Sequence, residues 1–351
     1  MTRLLQIILY PVSLVYGLIM QIRNLLFNLG ILPSARFEKP IISVGNLSYG
    51  GTGKTPHIEY IIKLLTPPLH LATLSRGYGR KSRGFIMGSE QSTVKNIGDE
   101  PMQFLEKFQG IEVAVDERRR RGIQFLLQKH PDLDVILLDD AFQHRYVKTG
   151  ISILLTDYHR LYMEDFVLPS GTLREFRSGA NRADIIIVTK TPKIFSPITR
   201  RRILEEMKPA AHQRVFFSYI TYNDPIPAYE KAGFTFPQKV TNILLFTGIA
   251  NDYPLREHLA RLCSELVVIK YPDHHPYKDK DIEDIIKKYH DLPTQKKIII
   301  TTEKDMMRLK TPELGTKLHN LPLFYVPMEI DFHGADKESF NNEIIKYVKK
   351  N

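Results

Sequence analysis

One cysteine, Cys263, occurs in 351 residues, so no internal disulfide can form, and no cluster of residues has zinc-ligand spacing. This scarcity fits a reducing compartment. Internal repeats and low-complexity segments are absent, which excludes solenoids and long disordered arms. Hydrophobic residues at 43% beside 25% charged residues describe an ordinary folded chain, long enough for two domains. The net charge is +10, yet neither a helix-turn-helix nor an RNA-binding sheet signature accompanies it, so nucleic acid is not the expected partner. An anionic membrane or a phosphorylated substrate remains. The positive charge is spread thinly except at Arg118–Arg121, a run that reads as a solvated helix face.

Residues 4–22, LLQIILYPVSLVYGLIMQI, form the most apolar stretch. At about 100° per residue, Arg3, Gln6, Ser13, Gln21, Asn24 and Asn28 fall within one sector of roughly 80°. The pattern is a greasy helix with a narrow polar stripe and a kink or restart at Pro11. Such a helix can lie in a bilayer surface, span it shallowly, or be buried against a domain; membrane contact is the expected outcome. No small-residue cleavage site follows it, which disfavours a removed signal peptide.

From residue 40 apolar runs alternate with helical patterns: IISV (41–44), LATLS (71–75), VILLDD (135–140), ISILLT (151–156) and ADIIIVTK (183–190). That alternation predicts a parallel sheet covered on both faces. Proline-rich, polar segments around 192–240 flank one apolar run, VFFSYI (215–220), and read as a linker with a strand of its own. A second α/β unit follows, with runs at 242–250, 265–271, 296–305 and 321–330, and the chain closes on a helical FNNEIIKYVKK. The expected fold class is α/β: a P-loop NTPase-like parallel-sheet domain and a smaller second α/β domain joined by a β-strand linker. The expected boundaries are 1–30 for the N-terminal amphipathic helix, 31–212 for the phosphate-loop domain, 213–240 for the linker, 241–330 for the second domain and 331–351 for the last helix.

The segment ISVGNLSYGGTGKTPHIEYIIKLL carries the strongest chemical signal. An apolar strand runs into Ser48, Tyr49, Gly50, Gly51, Thr52, Gly53, Lys54 and Thr55, and a helix pattern begins directly afterwards. Glycines let backbone N–H groups turn around phosphate oxygens, the lysine supplies charge to the β/γ-phosphates, and the threonine hydroxyl can bind Mg²⁺. The helix start adds its positive dipole end. Ser48 stands where the pattern usually has glycine, and the additional Gly50 and Gly51 offset that. A phosphate loop predicts a strand ending in aspartate to hold Mg²⁺, and Asp139 and Asp140 of DVILLDDAFQH supply it. SRGYGR (75–80) ends a strand with two arginines and two glycines, suited to an anion. Asp99 and Glu100 of IGDEP stand at a helix start, where capping by Asp99 is the plain reading. Asp273, His274 and His275 follow a strand, without partners at metal-ligand spacing. Guanine recognition would need Asn/Thr-Lys-x-Asp; VTKTP puts Pro192 in place of the aspartate, so ATP is the expected nucleotide.

Taken together, GNLSYGGTGKTP, SRGYGR, IGDEP, LDDAFQHR, LPSGTLRE, FTGIAN, YPDHH and TTEKDMMRL resemble the tetraacyldisaccharide 4'-kinase (lipid A 4'-kinase) family of Gram-negative bacteria, in family order from about residue 40 to 310. The resemblance implies phosphorylation by ATP of the 4'-hydroxyl of a tetraacylated disaccharide 1-phosphate at the cytoplasmic face of the inner membrane. It also implies an active site in a cleft between two α/β domains and no obligate protein partner. Matched by motif, Asp99 corresponds to the catalytic acid and His274 to its partner, with His275 equally able in chemistry. Thr55, Asp139, Asp140 and Glu175 are placed at Mg²⁺, and Arg174 at the nucleotide. Ala141 stands where the family commonly has glycine. The alternatives are another phosphate-loop small-molecule kinase or GTPase, and a nonenzymatic, nucleotide-switched membrane-binding module.

Overall fold

The structure is a computed structural model and describes residues 3–229, 233–237, 239–309 and 312–350. It divides into two compact units, one running to Ile220 and resuming at Ile330, the other Thr221–Glu329.

The first unit opens with α1 (Arg3–Asn28) and continues β1 (Ile41–Asn46), α2 (Lys54–Leu65), β2 (Leu71–Ser75), β3 (Ile86–Met87), α3 (Val94–Ile97), α4 (Asp99–Lys107), β4 (Glu112–Val115), α5 (Arg119–Lys129), β5 (Val135–Asp139), β6 (Ile151–Asp157), β7 (Ile185–Thr189), α6 (Pro197–Met207) and β8 (Arg214–Tyr222). The second contains β9 (Ile226–Pro227), β10 (Val240–Thr247), α7 (Tyr253–Leu259), β11 (Cys263–Lys270), α8 (Asp279–Asp291), β12 (Lys297–Thr302), α9 (Glu303–Leu309), α10 (Pro312–Leu318) and β13 (Leu323–Val326). The chain then returns through β14 (Met328–Phe332) and α11 (Asp336–Lys350).

Nine strands form the first sheet in the order β14-β8-β7-β6-β1-β5-β2-β4-β3. From β8 to β4 every neighbour is parallel, and the short edge strand β3 runs antiparallel to β4. Strands such as Ile41–Asn46 and Val135–Asp139 are buried throughout, as strands covered on both faces must be. β1 lies between β5 and β6, with Val44 opposite Asp139. The phosphate loop after β1 and the acidic pair after β5 therefore emerge side by side at the C-terminal ends of adjacent strands, where open α/β sheets bind ligands.

The second sheet has five strands in the order β11-β10-β12-β13-β9. The run at 321–330, one strand in the sequence reading, is two strands in two sheets, parted at Pro327, which has no N–H for a ladder. The expected linker likewise contributes β8 to the large sheet. Helix α11 belongs to the first unit, where Phe340, Ile344 and Val348 join the core around β1 and β5–β7.

Helix α1 is continuous through Pro11 and is not a core element. Ser13 and Asn24 of its polar stripe are buried against the protein and Asn28 bonds Arg145, while Gln21 stays exposed. Ser13 is buried and its Oγ accepts from Ser170 N at 2.8 Å, Tyr16 Oη donates to Arg174 O at 3.1 Å, and Asn24 Nδ2 donates to Glu175 Oε2 at 2.6 Å. Gly17 lies against the Phe176 ring, whose Cζ would stand 2.4 Å from an added Cβ. The apolar face points away: Leu4, Ile7, Ile8, Val15 and Ile19 are all exposed, and only 11% of the most apolar window is buried.

Candidate active site

The phosphate loop is held by its backbone. Gly50 and Gly53 have φ of 126° and 87°, which glycine adopts without strain, and Gly53 precedes the first residue of α2. Asn46 Nδ2 donates to Thr52 Oγ1 at 2.9 Å, and Tyr49 N donates to Thr172 O at 2.7 Å. Ser48 bridges Leu173, so the LPSGTLRE segment runs alongside the loop. Thr189 Oγ1 donates to Thr52 O at 2.9 Å, and Lys190 Nζ donates to Gly51 O while pairing with Asp157 at 2.7 Å. VTKTP, which in the sequence bore only on the choice of nucleotide, is thus a brace for the loop. At the start of α2, His57 is buried with Nδ1 donating to Gly53 O at 2.7 Å, and Ser218 Oγ lies 3.0 Å from Nε2.

Lys54 Nζ lies 3.8 Å from Asp140 Oδ2, and Arg174 makes a bidentate pair with Asp140 at 2.9 and 3.1 Å. Burial opposes charge on Asp140, but Lys54, Arg174 and Arg119 outweigh it and hold its pKa below the ordinary carboxylate value. Asp139 has the opposite environment. Burial, then the carboxylates of Glu100 and Asp140, push it up to about 7 against Lys54 and Arg119. Its buried Oδ1 has no hydrogen-bond partner among the described residues. Two adjacent acids are thus tuned apart, Asp140 toward its ionised form and Asp139 toward its protonated form.

Several residues behave otherwise than their sequence suggested. Arg119 is buried behind the acidic pair, with its guanidinium donating to Asp116 O at 2.9 Å and Asp139 O at 3.2 Å; burial lowers its pKa to about 10. Arg121 pairs with Asp116, so the basic run is not simply a solvated face. Of the two arginines in SRGYGR, Arg80 is spent on Glu117 and Gly84 O, whereas Arg76 is exposed. Gly98, not Asp99, occupies the cap position of α4, and Asp99 is its buried first residue. Glu175, expected at the metal, has both oxygens engaged: Oε2 by Asn24, and Oε1 by Arg182 at 2.7 Å and Gln143 at 3.2 Å. Arg119 was missed as a residue of the site, and Glu100 was noted only as part of a helix start. The single hint was that each adjoins a charged residue at an element start, a pattern solvent-facing side chains share.

In the second unit FTGIAN, YPDHH and TTEKDMMRL meet. Asp305 is fully buried and accepts from Thr247 Oγ1 at 3.2 Å, Gly248 N at 3.1 Å, Thr302 Oγ1 at 2.7 Å and Arg308 Nη1 at 2.9 Å. Arg308 Nη2 stands 3.2 Å from His274 Nδ1, and His274 has φ of 57°, a strained conformation for a non-glycine residue. His275 is engaged in packing: its Nε2 is 3.0 Å from Asp281 Oδ2 and its ring stacks on Tyr271 at 4.6 Å.

Comparison with known proteins gives one consistent result. The chain is 47% identical over 343 residues to the tetraacyldisaccharide 4'-kinase of Flavobacterium psychrophilum, covering 97% of this chain and 96% of that protein. It is 45% identical over 356 residues to the protein of the same name from Bacteroides thetaiotaomicron, covering 98% and 93%. The fold matches a crystal structure of LpxK from Aquifex aeolicus in complex with ATP at a TM-score of 0.74 and 26% identity, over 98% of this chain and 99% of that one. The pattern of the family described as tetraacyldisaccharide-1-P 4'-kinase matches residues 5–349, and the chain belongs to that family.

Proposed function

We propose that this chain transfers the γ-phosphoryl group of ATP to the 4'-hydroxyl of a tetraacylated disaccharide 1-phosphate, at the cytoplasmic membrane surface of a Gram-negative bacterium. The observation that carries this reading is the acidic pair, buried Asp139 and half-buried Asp140, beside Lys54 and Arg174 at the phosphate loop, in a chain of this family.

Backbone N–H groups of residues 50–55 and the dipole of α2 cradle the donor phosphates, and Lys54 turns from Asp140 to them. Arg174 follows the same exchange, from carboxylate to phosphate. Thr55, Asp139 and Asp140 are the residues to hold Mg²⁺, and the orphaned Oδ1 of Asp139 is the feature that fits a cation. Magnesium bound there supplies charge neutralisation of the transferring group. Glu175 acts as a positioning residue through Gln143, whose side chain also meets Arg174 at 3.3 Å. Asp99 accepts the proton of the acceptor hydroxyl and His274 tunes it, a role that leaves His275 to packing.

Helix α1 seats the enzyme on its lipid. Its contacts with the first unit run from the carbonyl of Gln6 to Asn28, so it lies along the surface with its apolar face in the acyl boundary instead of crossing the bilayer. Burying that face gains roughly 25 cal/mol per Å², and the net charge of +10 adds attraction to anionic headgroups.

The direct test incubates the protein with γ-labelled ATP, Mg²⁺ and lipid A disaccharide precursor. Label in the lipid at the 4'-position is expected; ATP turnover without a labelled lipid overturns the reading.

A further inference from the structure

One cluster of metal-ligating side chains lies apart from the nucleotide site. His70 immediately precedes β2, Glu112 opens β4 and His130 directly follows α5. β2 and β4 are parallel neighbours, with Ala72 opposite Glu112, so their starts lie together at the end of the sheet opposite Asp139. His70 Nε2 is 3.5 Å from Glu112 Oε1 and His130 Nδ1 is 3.4 Å from the same oxygen. One ligand atom from each of the three lies within 4.8 Å of the others. Tetrahedral zinc with bonds near 2.0–2.2 Å separates its ligands by about 3.3–3.5 Å, the spacing of two of these three pairs.

The surroundings orient the set. Asp132 Oδ2 lies 2.8 Å from His70 Nδ1, which therefore donates to it and leaves Nε2 as the ring atom facing Glu112. This carboxylate–imidazole relation is the one that fixes the tautomer of metal-bound histidine. The backbone is anchored too: His70 N donates to Asp134 Oδ2 at 2.8 Å, and His130 N donates to Leu126 O at 2.8 Å. His130 caps the C-terminus of α5, where the helix dipole favours a cation. The side chains are 26–28% exposed, so an ion can enter while water completes its shell.

We propose that His70, Glu112 and His130 bind one zinc-class divalent ion, with Asp132 orienting His70, and that the ion clamps the starts of β2 and β4 to the end of α5. Two imidazoles and a carboxylate suit Zn²⁺ and its first-row neighbours and do not suit Mg²⁺ or Ca²⁺. No zinc-ligand spacing is present in the sequence because the three residues are brought together by strand pairing across 60 positions.

Chelator-treated full-length protein is titrated with Zn²⁺ alone at neutral pH, beside His70→Ala, Glu112→Gln and Asp132→Asn. The wild type is expected to take up one more Zn²⁺ per chain than His70→Ala or Glu112→Gln, which removes any contribution from the nucleotide site or His274. Asp132→Asn should bind that ion about 10–100-fold more weakly. Zn²⁺ should raise the unfolding midpoint of the wild type more than that of Glu112→Gln, a near-isosteric change that keeps the fold if His70→Ala does not. Equal uptake by wild type and Glu112→Gln overturns the proposal. So does a wild type whose His70 and His130 resonances ignore Zn²⁺, which leaves the cluster as two imidazolium–carboxylate pairs.

Discussion

Asn24 of the first helix donates to Oε2 of buried Glu175 at 2.6 Å, and from Glu175 a chain of side chains leads to the nucleotide site. Gln143 joins Glu175 to Arg174, Arg174 clamps Asp140, and Asp140 meets Lys54. The helix whose apolar face is exposed is thereby linked through side chains to the Lys54–Asp140 pair at the phosphate loop.

Asn24→Ala removes one donor from a buried carboxylate, a loss of about 1–3 kcal/mol. Stability should fall by that order, and kcat/KM for ATP should fall severalfold because Gln143 and Arg174 lose their support. A double mutant with Gln143→Ala should lose less than the sum of the singles, as groups in one network do. Strict additivity in steady-state kinetics would show that the helix and the site are independent.

Lys54→Ala and Thr55→Ala should each lower phosphoryl transfer on the order of 10²–10³-fold, the scale of losing one charge-stabilising contact in a transition state. Circular dichroism should be unchanged, since neither side chain supports the core. Near-normal transfer by either variant would remove the phosphate-loop mechanism.

Asp99→Ala and His274→Ala should reduce kcat far more than they weaken ATP binding if, as proposed, both act toward the acceptor hydroxyl. The double mutant should be little worse than the poorer single. His275→Ala should instead lower the melting temperature, through loss of its Asp281 and Tyr271 contacts, with kcat largely kept. If His275→Ala is the change that stops turnover, the histidine roles are reversed.

Replacing Ile7, Ile8, Val15 and Ile19 by serine or glutamine should release the protein from liposomes without lowering its stability, because these side chains are exposed. Full-length protein should bind anionic vesicles more tightly than neutral ones, and added salt should weaken that binding. Deleting the whole helix is a harsher change, since it also strips Glu175 and Arg145 of partners. Flotation that is unaffected by the four substitutions would rule out this face as the membrane seat.

His57 gives the fold an acid-side weakness. Burial, opposed by its bond to Gly53, lowers its pKa from 6.5 to about 4. As pH falls below 6.5 the unfolded chain binds a proton that the folded chain refuses until about 4, so stability declines across that window. The slope is at most about 1.4 kcal/mol per pH unit from this one residue. His57→Gln cannot titrate and should flatten the decline between pH 6.5 and 4, measured by urea unfolding, beyond the part that His144 contributes. An unchanged slope would show that His57 is protonated in the fold.

The amino-acid sequence by itself determined the features that depend on neighbours along the chain. Largely apolar runs at 41–44 and 135–140 made buried parallel strands, and SYGGTGKT between a strand and a helix made a phosphate loop because both motifs act through local backbone geometry. The polar stripe of the first helix was equally visible, since 3.6-residue periodicity is local. Which way that stripe faced was decided only by tertiary structure: it found Ser170, Arg174 and Glu175 more than 140 positions away and left the apolar face outside. The same holds for Arg119, one arginine in a run of four until strand pairing set it behind Asp139, and for Glu175, whose motif suggested a metal and whose partners are side chains. The physical reason is common to all three. A charge is given its role by the groups that bury and neutralise it, and those arrive from distant strands and helices.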